Sequence, residues 1–274
     1  MGLLRIDEKK CKKDGICVDE CPSMIIRLKD RDGFPEIVPN PKSDCLVCGH
    51  CVAVCPQGAL SHENVPIESC PPIKKELKIT GDQAFQFLRS RRSARVFKDK
   101  PVEKEKIQQV IEIARYAPTG SNSQMVTWTV LMNKDQIREM SKLTIDWLRD
   151  LIKSAPPDTD LWYLPEVVEG WDAGQDSVLR DAPAVIIASA PREANSGMTD
   201  LTIALTYLDL ALLPLGLQGC WGGLLQFALR QSQPLKDLVQ LPSGHSNHYP
   251  IMLGYPKYTY HRLPERKKPE ILWR

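Results

Sequence analysis

The sequence predicts an α+β protein in two parts: a small cysteine-dense module over residues 1–65, then a larger domain of mixed helices and strands over residues 80–274. Three observations lead there. Seven of the nine cysteines fall in two runs, CKKDGICVDECP and CLVCGHCVAVCP, between Cys11 and Cys55. Residues 66–79 carry three prolines and no hydrophobic period, the composition of an extended linker. Beyond Thr80, helical and strand-like segments mix without a strict βαβ rhythm, and no glycine-rich dinucleotide fingerprint occurs. At 274 residues the chain has room for both parts.

Composition narrows the function classes. Lys and Arg number 36 against 34 Asp and Glu, a balance that argues against a dedicated nucleic-acid partner. Cysteines at metal-ligand spacing point to a reducing interior, hence the cytoplasm, rather than to disulfides. The opening MGLLRIDEKK lacks a signal-peptide apolar core, and Ile6 breaks the acylation pattern that Gly2 would begin. Leu201–Leu229 is apolar with one charge, Asp209, but Pro214, Gly216, Gly219 and the Gly222-Gly223 pair interrupt it. It reads as buried core and not as a membrane span.

In CLVCGHCVAVCP, four cysteines stand at spacings two, two and three, and Pro56 follows. Short spacings wrap three thiolates around one corner of an iron–sulfur cube, and the last leaves in another direction. Cys48 and Cys51 alone would serve zinc; four cysteines with the trailing proline favour iron–sulfur. On the same template the upstream run supplies Cys11, Cys17 and Cys21, with Asp14 at the second ligand position. The seven cysteines resemble a two-cluster, bacterial-type ferredoxin domain. That resemblance assigns Cys45, Cys48, Cys51 and Cys21 to a 4Fe-4S cluster, and Cys11, Cys17 and Cys55 to a cluster one thiolate short. Either Asp14 ligates the fourth iron, or that iron is labile and leaves 3Fe-4S; Cys70, outside both runs, is the third candidate.

Taken in order, Ile6-Asp7 opens the module, and Met24, Ile25, Ile26 and Phe34 are expected to pack over the clusters. Strands are predicted at Ile25–Lys29 and Phe34–Val38 around a turn at Asp30–Gly33. Thr80 and Gln83 stand as a capping-box pair, and Ala84, Phe85, Phe87 and Leu88 are the buried side of the helix that follows. After Pro101, Ile107, Val110, Ile111 and Ala114 recur at helical spacing. Strand Val126–Met132 precedes a helix over 135–153 with Ile137, Met140, Trp147, Leu148 and Leu151 on one face. Residues 155–175 read as an irregular aromatic lid or dimer wrap. Ala182–Ala190 is a buried strand, Leu201–Leu213 a buried helix and Ile251–Gly254 a further strand.

RRSAR packs Arg91, Arg92 and Arg95 around Ser93. Alone it would be a solvated basic face. The loop APTGSNSQ, however, offers backbone N–H groups with Thr119, Ser121, Asn122 and Gln124, equipment for a flat hydrogen-bonding heterocycle. LGLQGCWGG has glycines suited to close backbone approach, and YHRLPERKK concentrates charge again. RRSARVF, the helix ending in APTGSNSQ, LGLQGCWGG and the basic tail together resemble the FMN-dependent nitroreductase family, in the form that carries an N-terminal two-cluster ferredoxin domain. The resemblance implies an α+β fold and a homodimer with FMN between subunits. It places Arg91, Arg92, Ser93 and Arg95 on phosphate and ribityl. Asn122 and its neighbours Pro118, Thr119, Gly120 and Gln124 fall on the flavin, as does the backbone of Gly219, Cys220, Trp221 and Gly222; Arg262 or Arg266 completes the phosphate site. Met125 departs from the family's usual Pro after the Gln.

No protein side chain is expected to be catalytic, because the chemistry is the flavin's. Cys220 reads as packing, and Trp162, Tyr163 and Trp171 as a substrate stack, lid or dimer wrap. Clusters move single electrons and reduced flavin delivers a hydride or two single electrons. The expected function is therefore electron flow through clusters and FMN to a nitroaromatic, quinone or activated alkene, with ferredoxin or NAD(P)H as donor. The alternatives are a flavin dehydrogenase running oxidatively and an electron-transfer or redox-sensing protein with no substrate of its own.

Overall fold

A computed structural model describes residues 3–30, 32–38 and 44–274. Gly2 of the acylation pattern and Arg31 of the expected turn lie outside those residues. The chain divides into two units, Met1–Ile79 with Ser121–Ser123, and Thr80–Gly120 with Gln124–Arg274.

The first unit is built of short pieces: β1 (Leu4–Ile6), α1 (Ile16–Asp19), β2 (Ile26–Leu28), β3 (Pro35–Ile37), α2 (His50–Ala53) and β4 (Leu60–His62). β1 pairs antiparallel with β4, and β2 with β3. Each cysteine run turns into its helix through a glycine in the left-handed region, Gly15 at φ 74° and Gly49 at φ 70°. A side chain there would strain the backbone, so glycine sets how Cys17 and Cys51 are presented. Among the described residues, Ile25, Ile26, Cys51, Val52 and Leu60 form the unit's small buried core cluster. So small a core supplies little stability, and bound metal is the natural supplement. Of the residues expected over the clusters, Ile25 and Ile26 are buried. Met24 instead is 70% exposed, and Phe34 packs beneath the Lys13 ammonium.

The second unit opens with α3 (Gly81–Ser90), where the capping box forms: the Thr80 hydroxyl accepts from the Gln83 N–H, and the Gln83 amide oxygen accepts from the Thr80 N–H. α4 (Lys104–Ala114), β5 (Thr127–Leu131), α5 (Lys134–Ser154), α6 (Leu164–Asp172), β6 (Ala184–Ala190), α7 (Gly197–Leu212), β7 (Gln218–Trp221), α8 (Gly223–Gln231), α9 (Gln233–Val239) and β8 (Asn247–Gly254) follow. The four strands form one antiparallel sheet in the order β5-β6-β8-β7. Every residue of β6 is buried, because helices cover both faces. Ala184, Ile186, Ala188 and Ala190 meet α4 and α7; Val185 and Ile187 meet α5, α8 and α9. Period-two alternation sorts the strand between two cores.

α7 binds one face through Leu201, Leu205, Leu208 and Leu212, all fully buried. Each contributes roughly 1.5–3 kcal/mol on burial. By length and composition Gly197–Leu215 is apolar enough to cross a membrane, but these leucines are spent on the sheet. Apolar surface is left uncovered on α3 and in the tail: Phe85 and Leu88 of α3 are 64% and 54% exposed, and Leu272 and Trp273 of the tail are 83% and 88% exposed. The expected buried side of α3 is thus uncovered within the chain. Residues 155–175 are not wholly irregular, since Pro165 starts α6 and Val167 anchors it in the core. Trp171 joins that core under the Arg138 guanidinium, whereas Trp162 is exposed.

Candidate functional site

Two cavities in the first unit divide the cysteines. Cys21, Cys45, Cys48 and Cys51 line one, with Ile25, Ile26 and His62. Cys11, Cys17, Cys55 and Asp14 line the other, with Ile6, Pro35 and Leu60. Cys70 lines neither; its thiol donates to the Pro66 carbonyl. Among the described residues no three His, Cys, Asp or Glu side chains converge to hold a single ion. Thiols spread around an apolar cavity suit a cluster, in which each sulfur meets its own iron. Burial, followed by the neighbouring Cys48, pushes the Cys51 thiol up to about 11. Burial, with Cys11, Cys55 and Asp14 adding repulsion against one opposing backbone hydrogen bond, likewise raises Cys17. Four thiolates cannot gather there without compensating cations, so loading iron releases protons. Asp14 Oδ1 accepts the Ile16 N–H at 3.3 Å, which holds its carboxyl at the start of α1.

In the second unit, β7 and the residues after α3 build the other site. Ala94 N–H donates to the Gly219 carbonyl, joining RRSAR to β7. The three arginines then part. Arg91 reaches the buried carboxylate of Asp209 at 3.5 Å. Arg92 donates to the carbonyls of Arg89 and Arg91, and its buried Nε has no partner among the described residues. Arg95 opens onto a cleft of about 1010 Å³, part of it open to solvent, with Cys220, Trp221, Gly222, Gly223, Leu224, Tyr163 and Arg180. The cleft meets the start of α8, whose first N–H groups have no partner within the helix and favour negative charge. Two guanidiniums and those N–H groups make a set whose chemistry fits a phosphate-bearing flavin.

The remaining expected residues do not meet there within one chain. Pro118 and Gln124 are exposed; Gln124 N–H donates to the Thr119 hydroxyl. Gly120 N–H donates to Asp200, and a Cβ at Gly120 would fall 2.3 Å from Ser196 Oγ. Asn122, grouped with the first unit, donates its amide to the carbonyls of Leu46 and Val47. Arg262 and Arg266 lie in an exposed tail without helix or strand; nearby, Tyr260 Oη donates to the Ser93 carbonyl at 3.5 Å. Packing leaves no room for a side chain at Gly219, whose Cβ would stand 2.7 Å from Ile251 Cδ1. Burial pushes the Cys220 thiol up against the pull of Arg95 and Arg180, keeping it protonated.

Arg180 is the residue that sequence reasoning missed. It and Asp181 both adopt positive φ, 59° and 50°. The buried carboxylate of Asp176 holds the turn by accepting the N–H groups of Val178, Leu179 and Asp181. No motif announces this, but strain fixed by a buried carboxylate is a mark of a built site.

A nitroreductase family profile matches residues 88–255. The chain belongs to the nitroreductase family. A profile for a 4Fe-4S dicluster domain matches residues 9–60, so this nitroreductase is an FMN-dependent oxidoreductase with a ferredoxin-like domain at its N-terminus. An Archaeoglobus fulgidus protein, provisionally named an NADH dehydrogenase/NAD(P)H nitroreductase, is 22% identical over 200 residues, 70% of this chain and 98% of its own. An FMN-bound nitroreductase from Desulfitobacterium hafniense superposes with TM-score 0.57 at 20% identity, covering 72% of this chain and 100% of its own. A second, from Bacteroides fragilis, gives 0.56 at 19% identity, covering 69% and 95%. At those identities the superpositions establish the shared nitroreductase fold.

Proposed function

We propose that this nitroreductase is a cytoplasmic iron–sulfur flavoprotein that passes electrons between two clusters and one FMN and reduces an electron-poor small molecule, a nitroaromatic, quinone or activated alkene. The observation that carries the reading is the coexistence in one chain of two separate thiol sets and a guanidinium-lined cleft. Bound flavin supplies the exchange between single-electron carriers and two-electron chemistry. The chain's own part is electrostatic. Arg95 and Arg180 place positive charge across the cleft, and the start of α8 presents N–H donors, so negative charge gained on reduction is stabilised. Cys220, held as a thiol, packs beside the cleft without acting as a nucleophile. Tyr163 and Phe227 give it aromatic walls for a planar substrate.

The chain works as a homodimer in this reading. Phe85 and Leu88 of α3 and the apolar end of the tail, Ile271, Leu272 and Trp273, are exposed within one chain and supply a surface for a second copy. Protein purified under argon, assayed for iron, sulfide and flavin, and reduced in parallel by NADH, NADPH and reduced ferredoxin tests the proposal. Stoichiometric flavin, two clusters and turnover of a nitroaromatic or quinone are expected. Two clusters without flavin would reduce the protein to an electron carrier.

A further inference from the structure

His62 sits at the end of β4, is 2% exposed, and belongs to neither cysteine run. Its Nδ1 accepts the Asn64 backbone N–H at 3.0 Å. A ring nitrogen that accepts carries no proton, so the ring hydrogen is on Nε2. Nε2 lies 3.5 Å from the Sγ of Cys45. The backbone therefore fixes the tautomer, and the fixed tautomer aims its one N–H at a sulfur of the Cys21/Cys45/Cys48/Cys51 set. The same sulfur accepts the Val47 N–H at 3.4 Å.

We infer that His62 is a positioning residue that raises the reduction potential of the cluster held by the Cys45 set, a role that rests on the two-cluster reading above. Reduction adds one electron to the cluster, and its charge spreads onto the ligating sulfurs. An N–H dipole aimed at one of those sulfurs stabilises the reduced form more than the oxidised one. Because the imidazole is buried, water does not screen the interaction, and its strength is that of a low-dielectric hydrogen bond. Among the described residues no side-chain N–H is seen on the second set, where the Cys55 sulfur accepts a backbone N–H from Ala59 and Asp14 brings a carboxylate.

The test is an anaerobic redox titration of the full-length, cluster-loaded protein at one fixed pH. Electron paramagnetic resonance follows each cluster separately in wild type, His62→Leu, His62→Asn and His62→Gln. Leu has no N–H, and Asn is too short to reach the sulfur. Both should disfavour reduction of the Cys45-set cluster on the order of tenfold, about 59 mV for one electron. The other cluster should not move, and Gln, which keeps a donor at similar reach, should restore most of the difference. If Leu fails to load its cluster, the Asn and Gln pair carries the comparison. Equal midpoints in Asn, Gln and wild type, with both clusters intact, would overturn the inference. Wild type lacking any cluster on the Cys45 set would overturn the two-cluster reading itself, a failure visible in iron content before any variant is made.

Discussion

Arg91 Nη1 stands 3.5 Å from Oδ2 of Asp209, a carboxylate only 4% exposed that also accepts the Trp221 indole N–H at 3.2 Å. Burial pushes the Asp209 carboxyl upward, and Trp221 and Arg91 pull it back. Removing the guanidinium therefore strands a buried acid.

Arg91→Ala should destabilise the second unit by about 1–3 kcal/mol, and adding Asp209→Asn should recover most of that loss. The check is a double-mutant cycle in urea followed by tryptophan fluorescence, which is selective because all six tryptophans lie in the second unit. Strict additivity would make the contact incidental. The double variant also separates two roles: flavin loss that persists after stability is restored belongs to the phosphate.

Asp14 is where the thiol pattern breaks. A carboxylate is a harder and weaker ligand for cluster iron than a thiolate. Mild oxidation should convert the cluster of Cys11, Cys17 and Cys55 to 3Fe-4S while the other survives, and Asp14→Cys should abolish the 3Fe signal. Absence of that signal in wild type, with its appearance in Cys70→Ser, would move the ligand to Cys70.

His248, 4% exposed, hydrogen-bonds Gln226 and titrates at about 4, lowered by burial first and then by Arg230 and Lys236. The fold holds it neutral, whereas the unfolded chain protonates it near its ordinary value of about 6.5. Its contribution is complete above about pH 6.5 and is lost as pH falls toward 4, a cost on the order of 3 kcal/mol. Urea midpoints should drop between pH 7 and pH 5, and His248→Gln should flatten that slope. An unchanged slope would place the acid sensitivity elsewhere.

The capping box at Thr80 and Gln83, the apolar stripe of α4 and the alternation of β6 could be read directly, because each rests on neighbours within a few residues. α8 and α9 escaped, since Gly222-Gly223 and Pro234 punctuate them like loops while Leu225, Leu229 and Leu235 supply the core contacts. The cysteine sets were legible for a related reason: ligand spacing is a local constraint. The cleft was not. Arg95, Tyr163, Arg180 and Trp221 come from four separate segments, and only the turn around Asp176 brings Arg180 to the others. The two outer apolar residues of α3 have a helical pattern without a cover in the same chain, and no periodicity tells which chain covers them.

The central claim is that the clusters feed the flavin, and anaerobic stopped-flow with reduced ferredoxin tests it most directly, following iron–sulfur and flavin absorbance together in wild type and Cys48→Ser. Wild type should bleach its clusters before or with its flavin. Cys48→Ser, with FMN still bound, should reduce flavin at least roughly tenfold more slowly, because a broken relay removes the one-electron path. Flavin reduction at the wild-type rate in that variant would contradict the account.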